Sequence, residues 1–161
     1  MMTRATTSLR CAEIGCRKLF KVGHVSKAIG GIYCSPRCLN DSLCRAVVMI
    51  RAGAARLDGN TGPWFGPCEW CGHNHMLQWS HFVTRRSWAL RWSLKPRNSY
   101  AHCKGCHRRH AHDTPGEFTA WVESKLGAKD YAALRLILKT PRRPDVAAVR
   151  VALEHELRKL R

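Results

Sequence analysis

The chain has 161 residues, with 28 lysines and arginines against 11 aspartates and glutamates, for a formal net charge of +17. An excess of this size repels itself in a compact state and is typical of proteins that bind a polyanion, so nucleic acid is the expected partner. No apolar run approaches the roughly 20 residues of a membrane-spanning helix, and the first ten residues lack the apolar core of a signal peptide, which predicts a cytoplasmic protein without a membrane partner.

Eight of the nine cysteines occur as closely spaced pairs. Without a signal peptide, such pairs are typical of metal sites in a reducing compartment rather than of disulfides. The ninth, Cys44, is expected to be a small buried apolar residue on a helix. The pairs are Cys11 and Cys16, Cys34 and Cys38, Cys68 and Cys71, and Cys103 and Cys106.

The first two pairs enclose a short segment that has few apolar residues and a Gly-Gly turn signal. The four thiolates of Cys11, Cys16, Cys34 and Cys38 can close a tetrahedral zinc site, and metal binding can fold a segment too small to bury a core. His24 could replace one thiolate, although four cysteines already suffice. We therefore predict a zinc-stabilised knuckle with short strands.

A helix is predicted over 36–57. Ser35 provides its N-cap and Pro36 stands in its first turn, where a proline is tolerated. The glycines and prolines of 58–67 then mark a boundary. The first structural part of the chain is therefore expected to end near residue 58.

Further helices are predicted in the last third of the chain. Thr114 and Glu117 have the spacing of a capping box, which begins one helix. A second helix runs through 130–139, and a third begins near Asp145. The apolar stripe of the last helix favours core packing, with a dimer seam as the alternative. The stripe consists of Val146, Val149, Leu153, Leu157 and Leu160.

The other two cysteine pairs are Cys-x-x-Cys motifs separated by 31 residues. Four thiolates leave no open coordination position, so a zinc ion held by Cys68, Cys71, Cys103 and Cys106 is expected to be structural rather than catalytic. Residues 76–83 have the pattern of a strand that ends near His81. Further along the chain, Asn98 and His107 bracket the second motif.

This order of motifs resembles the HNH nucleases, which have a ββα-metal fold, with a supporting zinc. The segments YCSPRC, PCEWCG, QWSHFVTR and RNSYAHCKGC extend the resemblance, over roughly residues 11–127, to the NinG (Rap) recombination endonucleases of lambdoid phages. The resemblance implies an α+β fold class. The expected parts are an N-terminal four-cysteine zinc module and helix over 1–58, an HNH nuclease core with the second four-cysteine zinc site over 59–127, and C-terminal helices over 128–161.

The resemblance also implies roles for individual residues. His81 would be the general base that takes a proton from the attacking water. Asn98 would hold the imidazole of His81 or the loop that carries it. His107 would bind a catalytic divalent ion, Mg²⁺ or Mn²⁺, at the scissile phosphate. The implied substrates are branched recombination intermediates such as Holliday junctions, and a phage-encoded enzyme would act in the cytoplasm of the bacterial host.

The sequence departs from the HNH pattern at the second metal ligand. Many HNH sites carry Asp or Glu immediately before the base histidine or two residues further upstream, where this chain has Ser80 and Gln78. Residues 70–112 contain no acidic residue. Because Mg²⁺ prefers carboxylate oxygen, the candidate additional ligands are Gln78, Ser80 and Asp113, and a site rich in imidazole favours a transition metal.

Basic and aromatic residues surround these motifs. Phosphate contacts by the basic residues would make binding salt-dependent and largely independent of sequence. One of Trp79, Trp88 and Trp92 could stack on an unpaired base, while the others pack in the core. His110 and His112 are either surface residues or contacts to phosphate or metal. The predicted DNA-binding residues are Arg85, Arg86, Arg91, Lys95, Arg97, Lys104, Arg108 and Arg109.

His102 is expected to face outward beside the zinc thiolates. The missing carboxylate favours, as an alternative, a zinc-supported DNA-binding module without catalysis. A sequence-specific HNH endonuclease of the restriction or homing type is the third hypothesis. Cutting both strands of a junction would make a two-fold homodimer geometrically natural.

Overall fold

The computed structural model describes residues 9–13, 16, 18–20, 24–25, 29–59, 62–109 and 113–161. The chain has an α+β fold. Within the described ranges, every helix is too short or too polar to cross a bilayer. In chain order the elements are β1 (Leu9–Arg10), β2 (Leu19–Phe20), β3 (His24–Val25), β4 (Ile32–Tyr33), α1 (Pro36–Arg51), β5 (Ala55–Arg56), β6 (Trp64–Pro67), β7 (Asn74–His81), β8 (Ser99–Cys103), α2 (Lys104–Arg108), α3 (Pro115–Lys139) and α4 (Val146–Lys159).

The N-terminal segment contains the short strands that its sequence predicts. β1 pairs with β2 and β3 pairs with β4, both antiparallel. The Gly-Gly turn lies immediately before β4, where Gly30 and Gly31 have φ values of 68° and 96°, a region that residues with a Cβ rarely adopt. The Tyr33 hydroxyl donates to the Gly30 carbonyl at 2.8 Å and closes this turn.

Helix α1 begins as predicted and ends earlier than predicted. The Ser35 hydroxyl accepts a hydrogen bond from the Cys38 amide at 3.2 Å. The helix ends at Arg51 rather than at residue 57, because Gly53 takes a left-handed conformation (φ 78°) and Ala55 then pairs with Phe65 in the sheet. Cys44 is completely buried in the helix, which confirms the prediction for this residue.

The four-stranded antiparallel sheet has the order β5-β6-β7-β8. Strand β7 ends at His81, as predicted, and its last five residues pair with β8. Because side chains alternate along a strand, Trp79 faces α1, where the Arg45 guanidinium lies 5.4 Å from its indole ring. The opposite face meets α3, since Tyr100 packs against Phe118. The β7–β8 pair is therefore enclosed between α1 and α3.

Helix α3 differs from the predicted pattern at its start and agrees with it in the middle. Thr114 occupies the N-cap position, but its side chain makes no capping hydrogen bond, so the predicted capping box does not form. Gly127 has φ 74° and ψ 163° and interrupts the helix. Two helical segments result on either side of Gly127, in agreement with the separate helix predicted through 130–139.

Helix α4 packs in the core rather than forming an exposed seam. Asp145 caps it by accepting from the Ala147 amide at 2.8 Å. Leu153 and Leu157 are buried in the same apolar cluster as α1, and the Asn40 side-chain amide donates to the Val146 carbonyl at 2.9 Å. The apolar core thus contains residues from all three parts expected from the sequence.

Truncating Leu153 to alanine should lower the free energy of unfolding by about 2–5 kcal/mol, because it leaves a cavity between α4 and α1. Urea unfolding followed by circular dichroism would measure the change. Val151→Ala is the matched control, since Val151 lies on the same helix with 64% of its surface exposed and should change stability by less than about 0.5 kcal/mol. Equal losses in the two variants would contradict the packing described for α4.

Candidate metal centres and candidate active site

The first cysteine cluster has the spacing of a metal site. The Cys34 sulfur lies 3.6 Å from that of Cys16 and 3.5 Å from that of Cys38. A disulfide requires about 2.05 Å between sulfurs, whereas zinc–sulfur bonds of about 2.3 Å place tetrahedral sulfurs about 3.8 Å apart. With Cys11, the four sulfurs lie within 4.8 Å of one another. His24 lies in β3 and is not a member of this cluster.

The second cluster gathers Cys68, Cys71, Cys103 and Cys106, whose sulfurs also lie within 4.8 Å of one another. The backbone amide of Cys103 donates to the Cys68 sulfur at 3.3 Å, and that of Cys106 to the Cys103 sulfur at 3.4 Å. Burial raises the pKa of the Cys106 thiol, so a bound cation is the natural means of keeping the cluster ionised. Both clusters could hold a structural ion such as zinc.

The second cluster fixes the position of α2. Cys68 and Cys71 come from the turn between β6 and β7, while Cys103 ends β8 and Cys106 lies within α2. An ion bound by all four would tie the start of β7 to the corner between β8 and α2. Since α2 has only five residues, this anchor sets where the next side chain, His107, is placed.

His107 contacts Gln78, the residue at one of the two positions where HNH sites carry an acid. The Nδ1 atom of His107 lies 2.9 Å from Oε1 of Gln78. An amide oxygen only accepts, so Nδ1 is the donor of this bond, and in the neutral ring Nε2 is then the nitrogen able to bind a metal. A metal-ligating histidine commonly donates its other ring N–H to an oxygen in this way. The pair is therefore suited to hold a divalent ion through Nε2 of His107.

His81 ends β7 with its ring packed against Trp79, at 4.2 Å between ring centroids. Its Nε2 lies 3.4 Å from the Arg91 carbonyl oxygen. Because a carbonyl only accepts, Nε2 is the protonated nitrogen and Nδ1 the acceptor. Burial, assisted by the positive charge of Arg85, lowers the pKa of His81 to about 3, so the imidazole is neutral at neutral pH.

Asn98 holds the loop that follows His81 rather than the imidazole. Its Oδ1 accepts from the Val83 amide at 2.8 Å, and its Nδ2 donates to the Val83 and Leu90 carbonyls at 2.9 and 3.0 Å. The side chain is completely buried. The resemblance implied that Asn98 holds either the imidazole of His81 or the loop that carries it. The structure shows the contact to the loop.

Asp41 is a residue that the sequence analysis did not single out. From α1 it accepts hydrogen bonds from Nε and Nη2 of Arg91 at 2.8 and 2.5 Å and from Nε1 of Trp92 at 2.7 Å. These bonds fix the loop whose Arg91 carbonyl meets His81. Asp41 is the one acidic residue of α1, which was the available signal, because a carboxylate on a helix that packs in the core is seldom buried without a partner.

One predicted contact to DNA needs correction, and a second predicted contact is already paired with an acidic residue. Arg91 is 5% exposed and bound to Asp41, so it is a buried structural residue rather than a phosphate contact. Arg97 is half-buried, pairs with Glu69 and lies over the Tyr100 ring at 4.4 Å. The other predicted contacts are exposed: Arg85, Arg86, Lys95, Lys104, Arg108 and Arg109.

Several other predicted positions also differ. His102 is 0% exposed instead of facing outward. It lies opposite Gln78 in the β7–β8 pairing, on the face of the sheet that α3 covers, and its ring packs against that of Trp121 at 5.4 Å between centroids. Ser80 is likewise buried, which removes it from the surface where a ligand is needed. Asp113 is exposed just before α3. The predictions for His110 and His112 fall outside the described residues.

The tryptophans mostly have structural positions. Trp79 and Trp92 are buried, whereas Trp88 is half-buried. Trp88 and Trp92 meet edge to face at 5.7 Å, and the loop that carries them forms turns. Trp88 is thus the one of these three whose surface remains partly accessible.

The candidate base and the candidate ion site lie on opposite faces of β7. His81 shares the α1 face with Trp79, while Gln78 shares the α3 face with His102. Three residues of strand separate Gln78 and His81 by about 10 Å. Within the described chain, only β8 pairs with residues 77–81 of β7. The opposite edge of β7 is therefore unpaired at these residues, and it lies between the α1 face and the α3 face of the sheet.

No family model matches the chain, and neither a curated protein nor a solved structure matches it. Its function is therefore inferred from the residues and their geometry.

The purified protein should contain two zinc ions per chain, because each cluster supplies four converging sulfurs. Elemental analysis would measure the content. Substituting Co²⁺ should give thiolate-to-metal absorption bands from both sites. Cys106→Ser should lower the content to one ion per chain, whereas Cys44→Ser, at a buried cysteine outside both clusters, should leave it at two. A wild-type protein that folds fully without metal would contradict this assignment.

Proposed function

We propose that the chain is a metal-dependent DNA endonuclease of the HNH type that hydrolyses phosphodiesters in branched recombination intermediates such as Holliday junctions. The observation that carries this proposal is the contact between Gln78 and His107 beside the second cysteine cluster. Gln78 occupies a position where HNH sites carry a metal-binding acid, and His107 is the predicted metal ligand. A neutral, oriented histidine lies three residues along the same strand.

His81 would act as the general base. The hydrogen bond to the Arg91 carbonyl leaves Nδ1 as the nitrogen that accepts a proton from water. The same bond favours the imidazolium formed after proton transfer, because Nε2–H remains directed at a carbonyl oxygen. The lowered pKa keeps His81 in its accepting form at neutral pH, although it also makes the ring a weak base. A bound phosphate, which is negatively charged, would raise that pKa.

His107 would hold the divalent ion through Nε2, with Gln78 orienting its ring. An ion bound there would neutralise charge on the scissile phosphate and on the leaving oxygen. An imidazole nitrogen without a carboxylate beside it is a softer donor than a carboxylate pair, which favours Mn²⁺ or another transition metal over Mg²⁺. The second ligand position is where this chain departs from the HNH pattern.

The unpaired edge of β7 is the place where both groups could reach one phosphate. A phosphodiester lying across residues 78–81 would contact the ion at His107 on the α3 face of the strand. It would be approached by His81 on the α1 face. The exposed basic residues on both sides of this strand would contact the flanking phosphates. A second copy related by a two-fold axis would cut the other strand of a junction.

A non-catalytic, zinc-supported DNA-binding module is the second candidate. Gln78 favours it, because an amide in place of a carboxylate weakens any site for a hard ion. Incubation of plasmid and junction DNA with Mg²⁺, with Mn²⁺ or with EDTA separates the two, since only a nuclease nicks DNA when the ion is present. A site-specific HNH endonuclease, the third hypothesis, would instead cut one position in a long duplex.

His81→Ala should reduce junction cleavage at least about 100-fold and leave junction binding unchanged, because the ring would take a proton rather than hold the DNA. Single-turnover cleavage of a labelled four-way junction and a gel-shift titration give the two readouts. His75→Ala is the control, since His75 is an exposed histidine on the same strand. Cleavage by His81→Ala at the wild-type rate would overturn the role of His81.

Gln78→Glu should increase cleavage at low Mg²⁺, because a carboxylate beside His107 strengthens the ion site whether it orients the ring or binds the ion directly. The Mg²⁺ concentration for half-maximal cleavage should fall, and preference for Mn²⁺ should weaken. Met76→Glu is the matched control, since Met76 is exposed, two residues away on the same face of β7. An equal response from both variants would place the ion elsewhere.

A further inference from the structure

A groove of about 970 Å³ lies between the first cysteine cluster and the loop that follows His81. One wall comes from the N-terminal segment and the first turn of α1. The other wall comes from residues 84–91. We call it the Trp88 groove, and its defining residues are Lys18, Arg37, Arg85, Arg86 and Trp88.

The exposed charges of the Trp88 groove are positive. Lys18, Arg37, Arg85 and Arg86 are all exposed. Of the described residues, the only acids in its lining are Glu13 and Asp41, and both are buried in ion pairs, with Arg45 and Arg91 respectively. Zinc with four thiolates would add about two negative charges, fewer than the four exposed cations contribute. The groove therefore favours an anionic ligand.

Two of these arginines are held in place by indole rings. The Arg37 guanidinium lies 5.1 Å from the centre of the Trp88 ring, and that of Arg85 lies 5.8 Å from the centre of the Trp79 ring. A guanidinium in such a cation–π contact can still present its N–H groups to a phosphate in a bidentate manner. The contact with the ring also restricts the side chain, which reduces the entropy lost on binding. The groove is thus preorganised for phosphate.

The position of the groove connects it to the candidate active site. Arg91 lines its inner surface, and the Arg91 carbonyl contacts His81. Arg85 lies close enough to lower the pKa of His81 by its charge. A strand bound in the groove would therefore pass on toward His81 at the end of β7.

We infer that the Trp88 groove binds the sugar-phosphate backbone of a single nucleic-acid strand. This inference deepens the proposed function, because the groove would receive one strand leaving a branch point. The groove volume, near 970 Å³, is that of a site for a drug-sized ligand. A ligand of that size is comparable to a few nucleotides and is much smaller than a turn of duplex. Cations beside a partly accessible indole are the features of single-strand binding grooves.

Binding can be tested separately from cleavage in the His81→Ala protein, loaded with zinc and without added divalent ions. Fluorescence anisotropy would measure affinity for an oligothymidine strand, a duplex of equal length and a four-way junction over a range of salt. Arg37→Gln, Arg85→Gln and their combination are compared with Arg135→Gln and Arg158→Gln, which remove exposed arginines from α3 and α4. Zinc content and thermal unfolding confirm that each variant is folded.

The double groove variant should bind the single strand about tenfold more weakly, and each substitution should reduce the salt slope by about 0.7. Arg37→Lys should restore only part of the affinity, because lysine keeps the charge and loses the planar fork. Duplex affinity should change less. Equal losses in the α3 and α4 controls, an equal loss for duplex, or equal competition by polyglutamate would overturn the inference.

The outcomes also separate the groove from the proposed nuclease activity. Loss of strand binding in the groove variants, together with no cleavage by the wild-type protein under any ion, would support the groove and reject the nuclease. Junction cleavage by the wild-type protein, with strand binding unchanged in the groove variants, would support the nuclease and reject the groove.

Discussion

The convergence of Cys68, Cys71, Cys103 and Cys106 is the constraint on which the candidate site depends. These residues come from the β6–β7 turn and from the corner between β8 and α2, which are far apart in sequence and otherwise joined by backbone pairing. Four neighbouring sulfurs repel one another once ionised, so a cation is needed to hold them at these separations. With the ion bound, β7 and the short helix α2 form one rigid unit, and His107 is presented beside Gln78.

A buried ion pair provides the second constraint. Asp41 on α1 binds both Arg91 and Trp92, and the carbonyl of that same Arg91 binds His81. Removing one partner of a buried pair leaves an uncompensated charge, so this contact ties the orientation of His81 to the core of the protein. Asn98 completes the arrangement by holding Val83 and Leu90 of the same loop. The long loop after β7 is therefore fixed at several points although it contains neither helix nor extended strand.

The placement of the charges follows from the same contacts. Arg91 and Arg97 hold the loop and the sheet, while Arg37 and Arg85 of the Trp88 groove lie over indole rings and remain exposed. The interleaving of tryptophan and arginine in the sequence thus serves two purposes. Some pairs stabilise the fold, and others keep exposed cations in the groove for which we infer an anionic ligand.

The sequence alone determined the local features, because each depends on neighbouring residues. Cysteine spacing predicted two four-sulfur clusters, Ser35 and Pro36 predicted the start of α1, and the pattern of 76–83 predicted a strand ending at His81. It could not assign partners to charges: Arg91 was expected at the surface because Asp41 lies 50 residues away. Nor could it show that Gln78 and His81, three residues apart on one strand, would face α3 and α1 respectively. Only the tertiary structure decided these points, since burial and pairing depend on which elements cover each face of the sheet.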